Sequence, residues 1–216
     1  MSRAVLIAGG SIDDYEFISS FISESDFIAC ADRGIVHCNN MGLKADLWIG
    51  DFDSCNFDEY KNSDAAKDAQ IITLPEEKDK TDTEYVLNFI AETKKFDNIL
   101  LVGGIGTRID HTLMNIHLIE KMSEQQIFME ILNEKNRIRI SNDSGIYFRK
   151  SEFKYISIIP ISSVVNGVTL SGNFKYPLKD ATLFRYDSLS VSNELLEGGG
   201  TVHIADGSAL IIESRD

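Results

Sequence analysis

The sequence predicts an α/β domain over residues 1–132, with a mostly parallel sheet and helices on both faces, and then an all-β domain over residues 133–216. Three observations carry this prediction. Short apolar runs alternate with longer amphipathic segments as far as Leu132. Beyond it the helical spacing disappears, and β-rich runs separated by turn signals take over. All the excess negative charge lies in the first part, where 24 acidic residues face 11 basic ones, against 10 and 10 in the remainder.

In the first domain the predicted strands are Ala4–Ala8, Phe27–Ala31, Leu47–Ile49, Ile71–Leu74, Asn98–Val102 and Ile127–Leu132. A helix over Tyr15–Ser23 follows Asp13-Asp14 as its cap. A second, over Thr81–Lys94, sets Val86, Phe89, Ile90 and Thr93 at helical spacing. Thr81 and Glu84 form a capping box, whose hydroxyl and carboxylate satisfy free N–H groups at a helix start. A third helix starts near Arg108. Strands alternating with helices make a Rossmann-like sheet covered on both faces.

The second domain opens on Arg137-Ile138-Arg139-Ile140, which alternates polar and apolar. Further β runs are read at Ile146–Phe148, Tyr155–Ile159, Val168–Leu170, Leu189–Val191, Val202–Ile204 and Ala209–Ile212. Turn signals fall at Asn142-Asp143-Ser144-Gly145, Asn166-Gly167, Ser171-Gly172-Asn173, Gly198-Gly199-Gly200 and Asp206-Gly207. Short strands with such punctuation predict an antiparallel sandwich or barrel-like sheet.

Composition narrows the class further. With 216 residues, 43% of them hydrophobic, and only 3 prolines, the chain can bury a core and is expected to be ordered throughout. The first apolar run stops at Gly9-Gly10, far short of the roughly 20 apolar residues of a membrane span, and no cleavage site follows. A cytoplasmic protein without a membrane partner is expected. Cys30, Cys38 and Cys55 are odd in number and form no C-x-x-C pair, so neither structural zinc nor a disulfide framework is expected. A net charge of −13 repels a nucleic-acid backbone and excludes that partner class.

The acids do not scatter evenly. Asp32 follows the second predicted strand, Asp51 and Asp53 the third, Asp79 and Asp82 the fourth, and Arg108 and Asp110 the fifth. All fall past carboxyl ends of strands, the edge where open α/β sheets bind ligands. Magnesium prefers oxygen and is held by one or two carboxylates together with substrate phosphates. In an extended segment Asp51 and Asp53 share one face, although a lone D-x-D is equally a turn. Gly103-Gly104-Ile105-Gly106 lacks the third glycine of a dinucleotide fingerprint, and no G-x-x-x-x-G-K-[ST] occurs. The glycines read instead as a tight turn into a helix whose free N–H groups suit phosphate oxygens, with Arg108 adding bidentate contacts. His37, His117 and His203 read as structural, and His111 beside Asp110 stays open between structure and site.

Taken in order, Ala31-Asp32-Arg33-Gly34, Ala45-Asp46-Leu47-Trp48-Ile49-Gly50-Asp51-Phe52-Asp53-Ser54, Asp79-Lys80-Thr81-Asp82 and Gly106-Thr107-Arg108-Ile109-Asp110-His111 resemble the motif series of the thiamine pyrophosphokinases. Leu170–Leu178 and Val191-Ser192-Asn193-Glu194 extend the resemblance through the second domain. Arg33 stands where the family commonly has glycine. The resemblance implies a homodimer with the active site at the subunit interface and ATP and thiamine as substrates. It implies Mg2+ on Asp51, Asp53 and Asp82, and ATP on Asp32, Gly34, Asp79, Thr81 and Arg108. Thiamine would meet Asp82, Ser192 and Asn193, and the catalytic set would be Asp51, Asp53, Asp79, Asp82 and Asp110. The implied step is in-line attack of the thiamine hydroxyl on the β-phosphorus of ATP, with AMP leaving. A D-x-D phosphatase with Asp51 as nucleophile and a non-catalytic nucleotide or metal sensor are the alternatives.

Overall fold

Apolar, β-branched runs become the strands of the first of two units, Met1–Glu134, and the second unit is Lys135–Asp216. The computed structural model describes residues 2–142 and 145–216; the turn read at Asn142–Gly145 falls on Asp143 and Ser144, outside the described residues. The strands of the first unit are β1 (Arg3–Ile7), β2 (Phe27–Ala31), β3 (Leu47–Gly50), β4 (Gln70–Thr73), β5 (Asn98–Val102) and β6 (Phe128–Leu132). All pair in parallel, in the order β6-β5-β1-β2-β3-β4. Val5, Leu6 and Ile7 of β1 and Leu100 and Leu101 of β5 are buried, as runs in the middle of a parallel sheet must be.

The strand order reverses between β1 and β5, and there the loops interlock. Ala8 N–H donates to Val102 O at 2.9 Å and Gly10 N–H to Gly103 O at 2.8 Å. Gly103 has φ +64°, and a Cβ on it would lie 2.2 Å from the Ala8 carbonyl oxygen. Only glycine lets the two turns approach so closely.

Five helices connect these strands: α1 (Tyr15–Ser19), α2 (Gly34–Asn40), α3 (Phe57–Tyr60), α4 (Asp82–Thr93) and α5 (Ile109–Glu124). The first ends four residues sooner than its periodicity predicts, because Ser20–Ile22 turn back on Glu16–Ser19. Helix α4 forms as read: the Thr81 hydroxyl accepts from Glu84 N–H, and Val86, Leu87 and Ile90 fill the buried face. Its C-terminus closes on Lys94 in the left-handed region. Among the described residues no helix is long and apolar enough to cross a membrane.

The second unit is antiparallel. Its strands are β7 (Asn136–Asn142), β8 (Ile146–Phe148), β9 (Tyr155–Pro160), β10 (Val164–Phe174), β11 (Leu178–Phe184), β12 (Asn193–His203) and β13 (Ser208–Ser214). β13 lies between β7 and β9, β12 pairs with β8, β9 and β10, and β11 pairs with β10. Phe148, Ile158, Val165, Val168, Phe174, Leu183, Val202 and Ile211 form one apolar core.

Four sequence readings change here. Asn166-Gly167 and Ser171-Gly172-Asn173 lie inside β10, and Gly198-Gly199-Gly200 lies inside β12. Register shifts at Val165/Val168 and Gly172/Phe174 absorb the extra residues as bulges, with Gly167, Gly172, Gly198 and Gly199 at positive φ. Leu189–Val191 is a turn closed by Val191 N–H to Ser188 O at 3.1 Å, and its apolar side chains are exposed rather than paired. The pairing belongs to β11, whose charged residues hid it.

Candidate active site

The acidic loops meet at the carboxyl edge of β2, β3 and β4. Asp32, directly after β2, holds φ +44°. Its N–H donates to Ile49 O at 2.8 Å, and its carbonyl accepts from the indole Nε1 of Trp48 at 2.8 Å. Trp48 is fully buried, with the Phe52 and Phe57 rings 4.6 and 5.4 Å away. A strained backbone thus persists because the adjoining strand over-determines it.

Asp51 and Asp53 flank Phe52, which has φ +62°. The segment is therefore turned and not extended as the sequence predicts. Asp53 N–H donates to Asp51 Oδ1 at 3.3 Å, so the carboxylates converge through a turn instead of through strand alternation. Asp32, Asp51 and Asp53 each offer a carboxylate oxygen, all within 4.8 Å of one another. The Ser54 hydroxyl donates to Asp32 Oδ2, while Asp32 Oδ1 is buried without a hydrogen-bond partner. Such an atom invites a cation, since a buried lone pair left unmatched is costly.

Lys78 extends this cluster. Its ammonium donates to Asp51 Oδ2 and lies 2.9 Å from Asp82 Oδ1, with side-chain exposures of 9% for Lys78, 9% for Asp51 and 20% for Asp82. Burial pushes the Asp51 carboxyl up, but the Lys78 ammonium and the Asp53 N–H outweigh it and hold the group below the usual range. Asp53 moves up, chiefly because of the negative charge on Asp51. Burial raises Asp82 beyond what Lys78 restores. Lys78 stays charged, since its two carboxylate partners overcome its own desolvation.

These groups line a cavity of about 470 Å³ that also takes in Gly9 and Gly10 after β1, Thr81 at the α4 cap, and the 103–108 loop after β5. The loop is pinned to α5: Asn115 Nδ2 donates to Gly104 O at 2.7 Å, and Gly106 N–H donates to Thr112 Oγ1 at 3.2 Å. Arg108, 69% exposed, is the N-cap residue of α5 and holds Asp110 through Nη2 at 2.6 Å. That bond draws the Asp110 carboxyl down to about 2. Asp79 and Asp110 are exposed and do not line the cavity. Gly34 is buried behind it, where a Cβ would meet Ile7 O at 1.9 Å; the close packing of α2 on β1 explains it.

In the second unit Ser192 is exposed at φ +59°, and its N–H donates to Ser157 Oγ at 2.9 Å. Asn193 is buried. Its Oδ1 accepts from Tyr176 N–H at 3.1 Å and Glu194 N–H at 2.9 Å, and its Nδ2 donates to Tyr176 O at 2.7 Å. The amide is spent on holding Tyr176, whose ring is exposed.

Sequence reasoning brought Asp32, Asp51, Asp53, Asp82, Thr81 and Arg108 to this cavity. It missed Lys78, Ser54, Thr112 and Asn115. For Lys78 the signal was present, because it stands one turn before Asp82 in the loop entering α4.

Comparison with known proteins identifies the family. Residues 18–131 match the family model described as "Thiamin pyrophosphokinase, catalytic domain", and residues 143–209 match "Thiamin pyrophosphokinase, vitamin B1 binding domain". The thiamine pyrophosphokinase of Bacillus subtilis is 32% identical over 217 residues, covering 100% of both chains. The crystal structure of thiamine pyrophosphokinase from Bacillus subtilis superposes with a TM-score of 0.90 at 28% identity, again over 100% of both chains. That from Geobacillus thermodenitrificans gives 0.86 at 29% identity, over 100% of this chain and 98% of the other. The chain belongs to the thiamine pyrophosphokinase family.

Proposed function

We propose that this protein transfers the terminal diphosphate of ATP to the hydroxyl of thiamine, giving thiamine diphosphate and AMP. The observation that carries the reading is the convergence of Asp32, Asp51 and Asp53 beside Lys78 and Asp82, in a cavity walled by glycine loops and Arg108.

The donor set suits magnesium: carboxylate oxygens only, with the buried Asp32 Oδ1 lacking a hydrogen-bond partner. Asp51, Asp53 and Asp82 would hold it together with Asp32. Bound there, magnesium supplies charge neutralisation on the phosphates. The chain's own part is alignment. N–H groups of the glycine loops and of the α5 start, with the Arg108 guanidinium, orient the triphosphate for in-line attack. Of the two carboxylates available as proton acceptor, Asp82 lines the cavity and is raised by burial. Asp110 lies outside it and is drawn down to about 2. Asp82 is therefore the better base. Asp79 and Gly34 act through the loops that carry Thr81 and Asp32.

Thiamine is a cation, and the acidic edge attracts it. In our reading Ser192 meets its pyrimidine directly and Asn193 acts through Tyr176. The protein works as a cytoplasmic homodimer with its active site at the subunit interface. Exposed Tyr176, Leu189, Val191 and Leu196 give a partner apolar surface to cover. We read the first unit as Rossmann-like, with helices on both faces of its sheet, and the second as sandwich-like.

The test is to incubate purified protein with ATP, magnesium and thiamine and resolve all products by chromatography. Stoichiometric AMP and thiamine diphosphate is the expected result. ADP with thiamine monophosphate would overturn attack at the β-phosphorus, and thiamine-independent inorganic phosphate would replace the reading with a phosphatase.

A further inference from the structure

Four carboxylates, those of Asp32, Asp51, Asp53 and Asp82, crowd one edge of the first unit, and one buried ammonium stands among them. Asp51 leaves β3, and Asp82 is the first residue of α4, 31 positions later in the chain. Among the described residues, backbone hydrogen bonds reach neither carboxylate except from Asp53 N–H to Asp51. The group that ties the two loops together is Lys78 Nζ, which donates to Asp51 Oδ2 and sits 2.9 Å from Asp82 Oδ1. Arg108 is turned to Asp110 instead.

We infer that Lys78 is an internal counter-ion, which holds Asp51 and Asp82 in position before a divalent cation arrives and competes with that cation for Asp51. An ammonium on Asp51 Oδ2 and a divalent ion on the same carboxylate repel each other in a partly buried setting, so each weakens the other's hold on Asp51. The competition makes the bare site weak for metal. It is relieved when a polyphosphate enters with the ion, since phosphate oxygens give the displaced ammonium a new partner. Lys78 is thus a positioning residue that couples metal binding to nucleotide binding. The inference rests on reading the carboxylates as a cation site.

The experiment compares wild type with Lys78→Gln and Lys78→Arg in two readouts that need no turnover. These are thermal unfolding in chelator and Mn2+ affinity, the latter measured by titration with and without ATP. Lys78→Gln should melt below wild type in chelator, because it leaves buried carboxylates unmatched. It should bind Mn2+ alone about tenfold tighter, the equivalent of ~1.4 kcal/mol, and gain more thermal stability from Mn2+ than wild type does. Lys78→Arg should stay near wild type in chelator. Unchanged or weaker Mn2+ binding by Lys78→Gln would overturn the counter-ion role while leaving the cation site standing. Wild type that fails to take Mn2+ even with ATP would overturn both. Should Lys78→Gln not fold in chelator, refolding on Mn2+ addition supports the inference, and failure to refold with Mn2+ overturns it.

Discussion

The indole Nε1 of Trp48 donates to the backbone carbonyl of Asp32 over 2.8 Å, tying the core of β3 to the strained residue that begins the site on β2. Trp48→Phe keeps an aromatic ring beside Phe52 and Phe57 but removes that donor and part of a fully buried ring system. Stability should fall by ~1–3 kcal/mol, from the lost hydrogen bond and the space left by the smaller ring, and turnover should fall as the Asp32 carboxylate loses its fixed position. Urea unfolding alongside the product assay checks both; wild-type values in each would remove Trp48 from the site's support.

Asp53 is exposed, and the neighbouring Asp51 charge is the main cause of its raised carboxyl. Asp53→Asn takes away one negative charge from a crowded site. Turnover should drop by about a hundredfold or more, the scale of losing a preorganised charge-stabilising group. The melting temperature in chelator should hold or rise, as it does where function is kept at the expense of stability. A variant with near-normal activity would take Asp53 out of the mechanism.

His37 bridges the cavity loop and α1. Its Nε2 donates to Gly10 O at 2.7 Å, which leaves Nδ1 to accept from the Tyr15 hydroxyl at 2.8 Å. Burial, ahead of the opposing Gly10 carbonyl, lowers its pKa from 6.5. The folded state therefore binds this proton less readily than the unfolded chain does. The stability of the neutral ring is present above pH 6.5 and is lost as pH falls through the lower folded value. Melting temperatures across pH 5 to 8 should decline on the acid side for wild type and more weakly for His37→Asn. Equal slopes would assign the decline to other groups.

A methyl group on Gly34 would meet the Ile7 carbonyl oxygen at 1.9 Å. Gly34→Ala should cost ~2–4 kcal/mol, because α2 has to lift off β1 to make room. If the role of Gly34 lay in ATP contact alone, the variant would melt like wild type and lose only nucleotide affinity.

Arg108 and Asp110 face solvent and bind each other. Arg108→Lys should leave the melting temperature unchanged, since exposed pairs contribute little, while raising KM for ATP through loss of the planar fork. An unaltered KM would place Arg108 away from the triphosphate.

Much of this was legible locally. The six parallel strands lie within a residue of where their apolar runs end, and the Thr81 hydroxyl caps α4 as its spacing implies, while the Glu84 carboxylate turns to Lys121. Misreadings came where glycine has two meanings. Gly167, Gly172 and Gly198–Gly200 look like turns in the chain, yet they lie inside long paired strands, where Gly167, Gly172, Gly198 and Gly199 use positive φ at the irregular positions. Leu189–Val191 has the composition of a strand, but only Ser190 bonds to β9, through Ile158, and Val191 N–H turns back to Ser188 O.

By itself the sequence determined which loops carry the acids and that they share one sheet edge, because strand alternation, helical period and capping act over a few residues. Tertiary structure alone decided that Asp32 joins Asp51 and Asp53 through a turn at Phe52, that Lys78 stands between Asp51 and Asp82, and that Asp79 and Asp110 face away. Those relations depend on the register of parallel strands and on which buried group must meet an opposite charge, and no local pattern encodes a distance between separate loops.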